Sequence, residues 1–291
     1  MKLAFRCAAT VLLWAVVATP QQARAVNLVP NASFETYANC PTSFGQSYEA
    51  APWASPNTGT SDYFNACAPV SFPSVNVPQN QQGYQTALTG VGYAGIIPYS
   101  AAPDYREYVQ APLTTPLAAG MPYLVSFHVS LADSSIVAID RLGAHLSVGP
   151  VGPVPNYAAL PVTPQVESPA NAHLTNSTGW TMVSGVVVAA GGEDHIVIGS
   201  FRDDASTSTV PGPGQWPGGA YYYIDDVSVE LVQPTLQACC TADGQCSMQY
   251  PGECLYLGGS PGGAGTTCDG SPCGVVPTAQ SSWGRVKTIY R

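Results

Sequence analysis

The sequence predicts an all-β chain: an antiparallel two-sheet sandwich over residues 26–232, then a small disulfide-rich module over 239–273. Three observations carry this. Runs of alternating polar and apolar residues recur along the first region, punctuated by many of the chain's 29 glycines and 27 prolines. No stretch of that region sustains helical spacing. The cysteines beyond Cys7 divide unevenly, with Cys40 and Cys67 in the first region and six crowded between 239 and 273.

Residues 1–25 read as a signal peptide. Lys2 and Arg6 make a basic start, Cys7 to Thr19 is an apolar run short for a membrane span, and Ala23-Arg24-Ala25 suits a small-x-small cleavage site. The expectation is a secreted or cell-surface protein with no membrane span after cleavage. The whole chain carries 9 basic and 18 acidic residues, a net charge of −9. Three of the basic residues leave with the leader, and no lysine lies between Leu3 and Val286. Such a surface repels phosphate backbones, which argues against nucleic acid and suits neutral ligands or divalent cations.

The strands follow in order. Arg106 to Gln110 alternates polar and apolar residues, and Tyr123 to Leu131 does so over its whole length. Leu142 to Val148, Thr181 to Val188 and His195 to Phe201 continue the set, and Tyr221 to Val229 closes it. The turns hold Ala119-Gly120, Gly149-Pro150, Gly191-Gly192 and Pro211-Gly212-Pro213-Gly214. The closing strand is unusual, because Asp225 and Asp226 sit side by side within it. Alternation sends them to opposite faces, so one should point inward, where a carboxylate needs donors or a cation.

Asn27-Leu28-Val29-Pro30-Asn31-Ala32-Ser33-Phe34-Glu35 at the start and Tyr221-Tyr222-Tyr223-Ile224-Asp225-Asp226-Val227-Ser228-Val229 at the end resemble calcium-containing jelly-roll modules. These include galactose-binding-like carbohydrate-binding modules attached to xylanases and laminarinases, and domains of bacterial secreted surface proteins. Val77-Pro78-x-Asn80-x-x-Gly83 and Gly90-x-Gly92-Tyr93-Ala94-Gly95-Ile96 look like the surface-protein branch. The resemblance implies a jelly-roll sandwich and a structural calcium held by Glu35 and by Asp225 or Asp226, with Asn31 near the shell. The plainer alternative is that these carboxylates accept backbone N–H groups where the domain's ends meet.

For a sugar ligand, the candidate contacts are Trp53, Trp180 and Trp216 in or beside loops. The amide-rich stretch Gln79 to Gln85 adds Asn80, Gln82 and Tyr84. Catalysis finds little support. There is no G-x-S-x-G elbow, the four histidines are scattered, and no carboxylate pair is marked out for glycan hydrolysis. Asp203-Asp204 starts a loop and is expected to pair with Arg202. Glu193-Asp194 is expected as a solvated turn.

Cys40 and Cys67 are expected to bond each other. After a linker over 233–238, the spacing C-C-x5-C-x7-C-x13-C-x4-C holds Cys239, Cys240, Cys246, Cys254, Cys268 and Cys273. It resembles small cysteine-rich repeats of exported bacterial proteins. Three disulfides are expected, none joining Cys239 to Cys240, with zinc as the competitor. A basic tail, 274–291, ends the chain. The expected function is a non-catalytic, calcium-stabilised binding or surface-display protein, with polysaccharide or cell-surface glycan as the leading ligand class. A secreted glycan hydrolase and a purely structural surface component are the alternatives.

Overall fold

A computed structural model of the chain describes residues 26–70, 74–232, 236–250, 254–255, 257–263, 265–269 and 273. The expected signal peptide, the first half of the expected linker and the basic tail lie outside these residues. The strands are β1 (Asp62–Asn65), β2 (Gln79–Asn80), β3 (Gly83–Tyr84), β4 (Gly92–Ser100), β5 (Tyr108–Pro112), β6 (Pro122–Leu131), β7 (Val137–Ile139) and β8 (Leu142–Ser147). They continue as β9 (Val166–Glu167), β10 (Thr181–Val188), β11 (His195–Ser200), β12 (Thr209–Pro211), β13 (Gly219–Leu231), β14 (Gln237–Cys240), β15 (Cys246–Gln249) and β16 (Ser260–Pro261).

Two antiparallel sheets form the sandwich, ordered β1-β4-β13-β6-β10 and β5-β11-β8-β9. The core between them is built by alternation. Tyr222 and Ile224 of β13, Val125, Phe127 and Val129 of β6, and Val183 and Val187 of β10 point inward. They meet Val109 of β5, Ile196 and Ile198 of β11, and Leu146 of β8. The expected strand at Arg106 to Gln110 is corrected. β5 begins at Tyr108, and Arg106 and Glu107 are both buried rather than alternating.

The outer face of the five-stranded sheet is aromatic where β1, β4 and β13 run. Phe64, Tyr93, Tyr221 and Tyr223 lie there in a second buried cluster with Val75 and Val77. Between β1 and β4, residues 66–70 and 74–91 roof them. That roof is pinned by hydrogen bonds from Asn80 Nδ2 to the Tyr93 hydroxyl (2.9 Å) and from the Tyr223 hydroxyl to Asn80 Oδ1 (2.8 Å). The Cys40–Cys67 disulfide ties its start to the N-terminal segment.

The ends of the sandwich meet. Leu28 N–H donates to Val229 O (2.9 Å), and Asn27 bonds Val227 O and Val229 N–H through its side chain. In the C-terminal module β14 pairs with both β15 and β16. The strand begins at Gln237, inside the expected linker. Disulfides join Cys239 to Cys254, Cys240 to Cys273 and Cys246 to Cys268. No helix among the described residues is long and apolar enough to cross a membrane.

Candidate functional site

β6 leaves the sheet at Leu131, and Asp133 follows at once on the surface beside the β2–β3 hairpin. Gln82 fixes this junction. Its backbone carbonyl accepts Ser134 N–H (3.0 Å) and its Oε1 accepts the Ser134 hydroxyl (2.6 Å). Tyr84 N–H then donates to Asp133 Oδ2 (2.9 Å). Gly83, at φ +140°, permits this approach, since a Cβ there would lie 2.7 Å from Asp133 Cβ. The hairpin thereby turns the Tyr84 ring outward, 55% exposed.

Opposite stands the loop before β10. Asn176 Oδ1 accepts Thr178 N–H and Gly179 N–H (3.2 and 3.1 Å), an Asx turn that fixes Ser177 and Thr178. The result is a half-open groove of about 320 Å³ lined by Tyr84, Gln85, Thr86, Asp133, Ser177 and Thr178. It offers one phenol ring, one carboxylate and the hydroxyls of Thr86, Ser177 and Thr178. Trp180 backs its wall, donating from Nε1 to Thr86 O (3.0 Å) and packing edge-on to Tyr93.

The expected sugar contacts divide. Tyr84 lines the groove, and Trp180 supports it from behind. Trp216, partly buried, packs edge-on to Tyr221 and donates its backbone N–H to Ser134 O (2.8 Å). Three expected contacts are corrected. Trp53 is 2% exposed, stacked on Phe34 at 4.7 Å between centroids, with Nε1 donating to Asn31 O. Asn80 and Gln82 are buried, the Asn80 carboxamide holding the roof and Gln82 Oε1 the Asp133 turn. An amide-rich stretch satisfies backbone and tyrosine hydroxyls here before it can reach a ligand.

The expected calcium ligands take other partners. Asp225 is fully buried on the outer face of β13. Its Oδ2 accepts Leu88 and Thr89 N–H (2.8 and 3.2 Å), and its Oδ1 accepts Asp226 N–H (2.7 Å). Glu35 Oε1 accepts Val91 and Gly92 N–H, both at 2.9 Å. Both carboxylates therefore clamp one loop, 88–92, through its amides. Asp226 occupies a bulge at φ +50°, with Oδ2 3.8 Å from His128 Nδ1. Asn31 spends its carboxamide on Thr36, Ala50 and Ala51. Calcium needs oxygens converging on one point. Glu35 Oε1 and both Asp225 oxygens face backbone N–H donors here, and among the described residues Glu35, Asp225 and Asp226 do not gather as a three-carboxylate cluster. Burial is the largest influence on Asp225 and holds its carboxyl up at about 7, against the pull of its backbone donors.

Elsewhere Asp62 and Glu107 form a buried acidic pair. The Tyr221 hydroxyl donates to Asp62, and Glu107 accepts from the Tyr105 hydroxyl (2.6 Å), Thr60 N–H and Ile97 N–H. Burial raises both carboxyls, and the charge of Glu107 raises Asp62 further. Both side chains are closed off from solvent. Asp204 pairs with Arg106 (2.9 Å), and Arg202 pairs with Glu167 (2.8 Å), which corrects the expected Arg202–Asp203/Asp204 contact. Glu193 is likewise buried, accepting Ala190 and Gly191 N–H, rather than solvated.

No family model matches the chain, and no curated relative matches it. Similar solved structures include a Stig cyclase, Fisc, from Fischerella sp. TAU (TM-score 0.43, 10% identity), covering 71% of this chain and 98% of that one. The CBM22-1 xylan-binding domain of Paenibacillus barcinonensis Xyn10C is similar at TM-score 0.37 and 12% identity, covering 72% and 99%. TmCBM61, solved with β-1,4-galactotriose, is similar at TM-score 0.30 and 16% identity, covering 70% and 98%. Likenesses this loose assign no activity.

Proposed function

We propose that the chain is an exported, non-catalytic sugar-binding β-sandwich whose ligand lies in the groove at Tyr84. The carrying observation is the composition of that groove. An exposed ring stands beside a carboxylate and the hydroxyls of Thr86, Ser177 and Thr178. A pyranose presents an apolar face to a ring and its hydroxyls to such acceptors and donors. The basic and apolar leader, 1–25, supports export. The buried Asp62–Glu107 pair gives little support to hydrolysis, since a glycosidase needs two carboxyls facing substrate in an open cleft.

The test is calorimetric titration of the chain without residues 1–25 against neutral, amino and acidic polysaccharides. Binding to at least one glycan is expected, with Tyr84→Ala weakening it roughly tenfold through about 1.5 kcal/mol of lost aromatic contact. A panel with no binder, or a Tyr84→Ala variant that binds as tightly as the parent, would overturn the proposal. Release of reducing ends would transfer it to the hydrolase reading.

A further inference from the structure

β10 closes one side of the five-stranded sheet and, among the described strands, is hydrogen-bonded to β6 alone, with β9 of the other sheet packed beside it. Edge strands in soluble proteins usually carry charges, prolines or bulges that stop another strand from adding. β10 reads Thr-Met-Val-Ser-Gly-Val-Val-Val, with no charge or proline, and its register against β6 runs unbroken from Thr181 to Val188. Its outward side chains are open to solvent: Met182 is 58%, Val186 63% and Val188 67% exposed. Leu124, directly across from Val186, is 41% exposed and extends the apolar surface onto β6. A groove of about 330 Å³ runs along the strand's flank between Thr181–Ser184 and the 167–174 segment.

We infer that this edge receives β10 of a second copy, antiparallel about a twofold axis through Gly185. Two identical strands paired this way are self-complementary, as an isologous interface requires. Centred on Gly185, the register sets Met182 against Val188 of the second copy and Val186 against its Ser184. Val183 meets Val187 on the core face, so both faces of the alternation are respected. Charge opposes a second copy least at this edge. Without residues 1–25 the chain carries 6 basic and 18 acidic residues, so copies repel over much of their surface, and an uncharged strand is where that repulsion is least. Glu167, the carboxylate in the adjoining groove, is already neutralised by Arg141 and Arg202, each at 2.8 Å.

Size sets the strength. Eight residues give an edge of about 26 Å, and two packed sheets make it about 20 Å deep, so each copy buries roughly 500 Å². That is at the low end for specific interfaces, and the dimer is therefore concentration-dependent.

Sedimentation and light scattering of the chain without residues 1–25, from about 1 to about 300 µM, test this. The parent shifts toward twice its monomer mass across that range. Val186→Lys weakens association at least about tenfold, because it puts a charge opposite Ser184 of the second copy and two like charges diagonally across the axis, where an edge charge opposes strand addition. Tyr48→Lys, at a 58% exposed position beside β1, the opposite edge of the same sheet, dimerises like the parent. A parent that stays monomeric at the top of the range, or a Val186→Lys variant that dimerises equally well, overturns the inference. Assemblies that grow past the dimer overturn the twofold arrangement.

Discussion

Replacing Asp225 by Ala would strand the N–H groups of Leu88, Thr89 and Asp226, which have no other described acceptor. The cost is partly offset because a buried, hard-to-ionise carboxyl is also removed. We expect Asp225→Ala to lower stability by about 2–4 kcal/mol in urea unfolding. Because backbone amides already supply donors to the carboxylates of Asp225 and Glu35, excess chelator is expected to leave the melting temperature of the parent unchanged. A fall with chelator that calcium reverses would restore the metal staple. The two aspartates show where sequence reasoning stopped. Alternation rightly set Asp225 and Asp226 apart, and the need for donors or a cation was legible from burial alone. The identity of the donors was not, since Leu88 and Thr89 lie more than 130 residues away in sequence. The bulge at Asp226 has no local signal such as glycine.

At the scale of the element, the roof between β1 and β4 decides which aromatics can be seen from outside. Its start is tied down by Cys40–Cys67, a closure of 27 residues. Loss of this bond in a Cys40→Ser/Cys67→Ser variant is expected to cost about 3–4 kcal/mol by freeing the unfolded chain, read as a lower unfolding midpoint. Gly90→Ala should cost more than an ordinary loop substitution. The residue holds φ +65°, and a Cβ there would run into the Glu35 carboxyl. The long strands β6, β10, β11 and β13 were legible because aromatic and β-branched residues alternate over six residues or more. β2, β3 and β9 are two residues each and carry no period to read. The same limit hid the groove. Tyr84 stood out as an aromatic among amides, while Asp133, 49 positions on, joins it only through one hydrogen bond.

Over the whole molecule, titration should leave a directional mark. Asp225, held up at about 7, and the raised Asp62 and Glu107 bind protons in the folded chain at pH values where the unfolded chain has released them. Stability therefore falls as pH rises from about 4 toward 8. Carboxyls held low, such as Glu193 with its backbone donors, act in the opposite sense and lose their contribution below about pH 4. The melting temperature is expected to be higher at pH 5 than at pH 8, and a flat or rising profile would show that the buried acids are ionised without penalty. The meeting of Asn27 and Leu28 with Val227 and Val229 reaches further. A fold whose entry and exit lie side by side behaves as a cassette. It can be spliced into a surface loop of a host protein without prising the host apart. It can also be permuted, with its old ends fused and new ones cut at Gly191-Gly192, and still find the same sandwich.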